Sequence, residues 1–117
     1  MSQARSVDLD IIENLKSLGG MELLVELHIV FISTSETLIA DLHKALASGD
    51  ANGVQEKAHS LKSSSGSMGA LQLSEICQLL EKMGQTKDLS KAKDLAQKLD
   101  SEFKQVSLEL GQIVATK

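Results

Sequence analysis

The chain contains no proline, no tryptophan and no tyrosine, and its only aromatic residues are Phe31 and Phe103. Without proline nothing in the covalent chain forces a helix to stop, and so few aromatics disfavour a strand-rich sandwich or barrel. Long uninterrupted helices are the expectation. Cys77 is the only cysteine, so no internal disulfide is possible. A lone thiol inside an apolar-periodic stretch usually behaves as a small buried hydrophobe, which fits a reducing compartment. Residues 1–10 carry one arginine and no apolar run suited to a secretory leader, and no later apolar stretch is expected to reach membrane-spanning length. These absences point to a cytoplasmic protein without a membrane partner.

What is present is ordinary for a globular chain. At 117 residues, with 42% apolar and 24% charged content, the sequence is long enough to close one hydrophobic core, and residues 1–117 are expected to form a single domain. Twelve Lys and Arg against sixteen Asp and Glu leave a net charge of −4. A phosphate backbone would be repelled, so nucleic acid is not an expected partner.

Apolar residues recur at spacings of three and four almost throughout, the pattern of amphipathic helices. Val7, Ile11, Ile12, Leu15 and Leu18 predict a short first helix with Asp8 as its N-cap, ended by Gly19-Gly20. Leu23, Leu27, Val30, Phe31, Thr34, Leu38, Leu42 and Ala45 carry the period along a long second helix, until Ser48-Gly49-Asp50 supplies a stop and a new cap. A third helix starts near Ala51 with Val54, Ala58, Leu61, Ser65 and Met68 on one stripe, and residues 67–70 read as a turn. Leu73, Ile76, Cys77, Leu80 and Met83 face inward on the next helix, with Gly84 as its C-terminal signal. After a polar loop over residues 85–90, Ala92, Leu95, Leu99, Val106, Leu110 and Ile113 form the seam of the last helix, with Phe103 beside it. Four long helices with short connections pack most simply as an antiparallel up-down-up-down bundle, the short first helix capping one end. The fold class expected is all-α.

The chemistry concentrates on the third helix. At roughly 100° per residue, a core stripe through Val54, Ala58 and Leu61 leaves His59, Ser63 and Gly66 together on a different, outward face, with Lys62 at its edge. An ordinary imidazole, with a pKa of about 6.5, is mostly neutral at cytoplasmic pH and can attack phosphorus. The phosphorylated ring gains negative charge, which an ammonium one helical turn away stabilises. Small residues serve a separate purpose: a partner that exchanges phosphate must bring its own acidic or metal site within bonding reach of the ring. Ser63 and Gly66 keep the surface low there although each costs helix propensity relative to Ala. A local departure of this kind, with no folding benefit, marks a functional surface.

The run from His59 through Lys62, Ser63, Ser65, Gly66 and Gly69 to Ala70 resembles the signature of histidine-containing phosphotransfer (HPt) domains: a His, a Lys three later, small residues next and a Gly ten after the His. The likeness extends over about residues 7–83, including the Gly-Gly pair and the Ser-Gly-Asp junction, while the last helix matches only by type. The resemblance implies that His59 carries a phosphoryl group on the ring nitrogen distal to the backbone, that Lys62 supports it electrostatically, and that Gly69 lets the histidine helix and its successor approach closely. It implies a carrier without kinase activity of its own. The expected partners are receiver domains of response regulators and a hybrid sensor histidine kinase. It implies no cofactor on this chain, with Mg2+ supplied in the receiver. In the family a Gln on the following helix often orients the imidazole. Glu81 stands at that position, a departure, and a carboxylate there would fix the ring tautomer while pulling against Lys62. Ser63 departs too, where Gly is common.

His28 and His43 lack the lysine and small-residue context and read as surface or satisfied core residues. No second His or Cys lies three or four residues from His59, so no metal site is expected. Neither a nucleophile elbow nor a phosphate-cradling Gly loop is visible. The rival to the carrier is a non-catalytic helical adaptor that binds a signalling partner through the His59 face. Monomeric behaviour is expected, since one signalling face suffices. An initiating Met with almost no linker leans slightly toward a free-standing carrier, while a module of a larger hybrid kinase could begin the same way.

Overall fold

Asp8 is extended in its backbone, and its carboxylate accepts from the amides of Asp10 at 2.9 Å and Ile11 at 3.3 Å. It thereby satisfies donors that the first turn of a helix leaves without partners. From this cap α1 runs over Leu9–Ser48, followed by α2 over Ala51–Ser67, α3 over Leu71–Thr86 and α4 over Ala92–Ala115. The computed structural model describes residues 6–115, and among those residues there is no strand. The expectation about a leader falls partly on residues 1–5, outside the described residues.

The break expected at Gly19-Gly20 is a kink rather than a loop. Gly20 adopts φ 73° and ψ −171°, a conformation that suits glycine, and helix resumes at once beyond it. The predicted first and second helices are therefore two segments of α1. Leu18 corrects the predicted inward face: it precedes the kink by two residues, where the chain changes direction, and is 78% exposed. Val30 and Thr34 are also on the outside, Val30 being 62% exposed. The stripe that is buried runs through Leu24, Phe31, Ser35, Leu42 and Ala45, one residue out of phase with part of the predicted one. Over one 18-residue stretch α1 is long and apolar enough to cross a membrane by length and composition alone. That corrects the expectation that no stretch reaches such length; 17% of the stretch is buried in the bundle.

The four helices form a ring of contacts in which α2 packs on α1 and α3, and α4 closes against α3 and α1. Val54, Ala58 and Leu61 of α2 and its C-cap Met68 meet Leu73, Cys77 and Leu80 of α3 and Leu99, Val106 and Leu110 of α4 in one core cluster. Fully burying a leucine contributes roughly 1.5–3 kcal/mol, so these side chains dominate the stability of the ring. Phe31 and Phe103 meet edge to face with centroids 6.3 Å apart, a geometry worth about 0.5–1.5 kcal/mol beyond burial. Cys77 is fully buried, and burial pushes its thiol up to about 12, against the opposing charge of Lys62. At the far end of the chain Glu109 on α4 accepts from the amides of Ser6 at 3.1 Å and Val7 at 3.0 Å, and Val7 is fully buried.

Two glycines do different work from that expected. Gly69, at φ 79°, lies in the α2–α3 turn, where an added Cβ would stand 3.0 Å from the Asp8 carbonyl oxygen. It admits the start of α1, and the Asp8 amide donates to the Gly69 carbonyl at 2.8 Å. The close approach of α2 and α3 occurs instead at Gly84, where a Cβ would lie 2.7 Å from both the Ala51 carbonyl oxygen and the Gln55 amide nitrogen. Gly84 does not end its helix, which continues to Thr86 and closes on Lys87 in the left-handed conformation.

The contrast between glycines is measurable. Gly84→Ala must push two backbones apart and is expected to lose about 1–3 kcal/mol in urea unfolding, the usual scale of overpacking. Gly66→Ala, whose Cβ would come no nearer than 3.6 Å to Ser74 Oγ, is expected to gain up to ~1 kcal/mol from helix propensity. Equal stabilities for the two variants would contradict the assignment of the close crossing to Gly84.

Candidate functional site

The core stripe of α2 determines where its functional side chains point. With Val54, Ala58, Leu61 and Ser65 buried, the helical period turns His59 outward, and its side chain is 61% exposed. Lys62 lies on the flank facing α3 and is 30% exposed, while Glu81 of α3 is only 12% exposed between the two helices. The crossing at Gly84 brings Glu81 there: Gly84 touches Gln55, and one turn away on each helix Glu81 and His59 come together.

The Glu81 carboxylate has one partner for each oxygen. His59 Nδ1 is 2.8 Å from Oε2, and Lys62 Nζ donates to Oε1 at 2.6 Å. An ionised carboxylate only accepts, so the proton of the neutral ring resides on Nδ1 and the lone pair on Nε2. Among the described residues nothing hydrogen-bonds Nε2. The Lys62 hydrogen bond lowers the Glu81 carboxyl below the ordinary glutamate range; partial burial opposes this and the His59 hydrogen bond adds to it. Ser74 Oγ donates to the Lys62 carbonyl at 3.0 Å, a second tie between α3 and this turn of α2.

The serines around the ring are explained by their hydroxyls. Ser64 Oγ donates to the carbonyls of Ser60 at 3.3 Å and Leu61 at 3.2 Å, and Ser67 Oγ to that of Ser63 at 3.1 Å. Folded back on their own helix, they leave a low surface without bulky side chains. Ser63 is exposed and Gly66 half-buried on that surface. Gly69, the remaining residue singled out, sits in the turn against Asp8 rather than beside the ring. Sequence reasoning missed Gln55, Glu56 and Ser60, which line a shallow pocket with His59 and Glu81. Their spacing of four, three and one residues from His59 was the available signal.

The other histidines are elsewhere. His43 pairs through Nε2 with Asp100 at 2.9 Å, and His28 is half-buried on α1. Among the described residues no cluster of three or more His, Cys, Asp or Glu is arranged to hold a metal.

The lowered Glu81 carboxyl fixes a pH dependence. Because its folded value lies below the unfolded one, its contribution to stability is complete above the ordinary glutamate value of about 4.3 and is lost as pH falls through the folded value. A carbon-detected NMR titration of the Glu81 carboxyl should show a midpoint below that ordinary value. A midpoint at or above it would mean that the Lys62 contact is not formed.

Comparison with known proteins identifies the family and the fold. The sequence matches the Hpt domain over residues 26–113. Among curated proteins, none matches it. The fold is similar to the crystal structure of histidine-containing phosphotransfer protein B (HptB) from Pseudomonas aeruginosa PAO1, at 30% identity and a TM-score of 0.92, over 98% of this chain and 99% of that one. The chain belongs to the Hpt domain family, the phosphotransfer proteins of phosphorelays.

Proposed function

We propose that His59 is the phosphorylated residue of this carrier, accepting a phosphoryl group from a receiver-domain aspartate and passing it to the aspartate of another receiver. The single observation that carries the reading is an exposed imidazole whose Nδ1 is engaged by Glu81 while, among the described residues, nothing hydrogen-bonds Nε2. In the accepting step the Nε2 lone pair forms a bond to phosphorus as the aspartyl P–O bond breaks, and its electrons return to the receiver carboxylate. The Nδ1 proton stays where it is. Positioning and charge neutralisation govern such transfers. The acidic pocket and Mg2+ belong to the receiver, and this chain contributes no cofactor. Ser63 and Gly66 leave room for that pocket to reach the ring, Lys62 supports the transferred group, and Glu81 orients the imidazole.

The wider reading follows from the same surface. Residues 1–117 act as one domain, an antiparallel up-down-up-down bundle supported by the ring of helix contacts, with the start of α1 closing one end between Gly69 and Glu109. The carrier works as a cytoplasmic monomer between a hybrid sensor histidine kinase and response regulators. It binds no nucleic acid, given the net charge of −4, and acts away from the membrane.

Incubation with a phosphorylated receiver domain should transfer acid-labile, base-stable label to the wild-type protein, and His59→Gln should abolish it with helical circular dichroism unchanged. An adaptor would acquire no label, and label surviving the substitution would move the site to His28 or His43. Lys62→Ala leaves the Glu81 carboxylate beside the phosphoryl group without its ammonium, and should shorten the phosphohistidine lifetime by about tenfold, the scale of one charge-assisted hydrogen bond. An unchanged lifetime would remove Lys62 from the mechanism.

A further inference from the structure

Resting on the carrier reading above, we propose that Glu81 sets the transfer potential of the phosphorylated protein, making it a readier donor than a neutral residue in the same place would. The carboxylate is committed twice, to His59 Nδ1 at 2.8 Å and to Lys62 Nζ at 2.6 Å. Orienting a ring requires only the first of these bonds, and a neutral acceptor could make it. The second bond and the negative charge need another account.

Two consequences follow from that charge. In the donating step an aspartate oxygen of the receiver attacks phosphorus, the Nε2–P bond breaks, and its electron pair returns to Nε2. If Nδ1 still carries its proton the ring leaves as neutral imidazole; if not, it must leave as an anion. A carboxylate at Nδ1 favours the protonated phosphoimidazole and so the better leaving group. The second consequence concerns Lys62. Its ammonium is already bonded to Glu81, so a phosphoryl group on Nε2 has to share it with a carboxylate. Glu56 lines the same shallow pocket and adds to its negative charge. Anion repulsion raises the free energy of the phosphorylated state while leaving the unphosphorylated one paired, because Glu81 without the phosphoryl group has both partners satisfied. The first eases breaking of the Nε2–P bond, and the second raises the free energy of the phosphorylated state.

Glutamine has the same shape and keeps an oxygen for Nδ1–H, yet carries no charge. In E81Q the phosphohistidine should last about tenfold longer, and the equilibrium with a receiver should shift about tenfold towards the carrier. Ring 15N shifts of the unphosphorylated E81Q protein should still report the Nδ1–H tautomer, whereas E81A should lose that preference. A role confined to orientation would leave lifetime and equilibrium in E81Q as in the wild type, and that result, or a shift towards the receiver, overturns the proposal. Should wild-type protein take no label on His59, the carrier reading itself fails and this proposal with it, an outcome distinct from a labelled wild type matched by E81Q.

Discussion

A carboxylate with each oxygen held by a different donor can neither rotate nor move without breaking a charge-assisted bond. Glu81 is in that position, with His59 Nδ1 on one oxygen and Lys62 Nζ on the other. The consequences for chemistry are specific. One tautomer of the neutral ring is selected, the imidazole is left largely exposed, and the Lys62 ammonium is held on the other carboxylate oxygen. Most of the site is thus an outcome of one side chain that belongs to the helix after the histidine helix. Its 12% exposure strengthens both bonds relative to the same contacts in open water.

Packing places that carboxylate. At Gly84 the backbone of α3 comes close enough to α2 that a methyl group would meet Ala51 and Gln55 at 2.7 Å, and Ser74 ties the same helices together at the Lys62 carbonyl. Between these two contacts lies Glu81. Buried Cys77 and Leu80 hold the intervening turn against the core, so the rotation of α3 about its own axis is fixed. The His59 face is therefore built on rigid elements rather than loops, which suits the carrier role proposed for it.

Much of this was legible in the residues. The α2 stripe, the outward direction of His59, the caps at Asp8 and Asp50 and the turn near residues 67–70 all follow from local periodicity and capping, and the structure has each of them. What periodicity could not supply was phase over a 40-residue helix: α1 carries more apolar residues than one stripe can bury, and only its neighbours decide that Phe31 goes in and Val30 stays out. Nor could spacing tell Gly69 from Gly84, because a close crossing depends on which turns of two helices meet. The capture of the Ser6 and Val7 amides by Glu109 spans about a hundred positions of sequence and leaves no local trace. Glu81 is legible only by counting against the family pattern, and its second bond, to Lys62, arises only once α3 packs on α2.

The central claim is that a phosphoryl group resides on Nε2 of His59 with Nδ1 still protonated against Glu81. Phosphorylating uniformly 15N-labelled protein with a small-molecule phosphoramidate donor and recording 15N–31P coupling with long-range 1H–15N correlations tests it directly. The account predicts one phosphorus signal coupled to His59 Nε2 and a ring proton retained on Nδ1. Phosphorus coupled to Nδ1, or found on His28 or His43 instead, would contradict it.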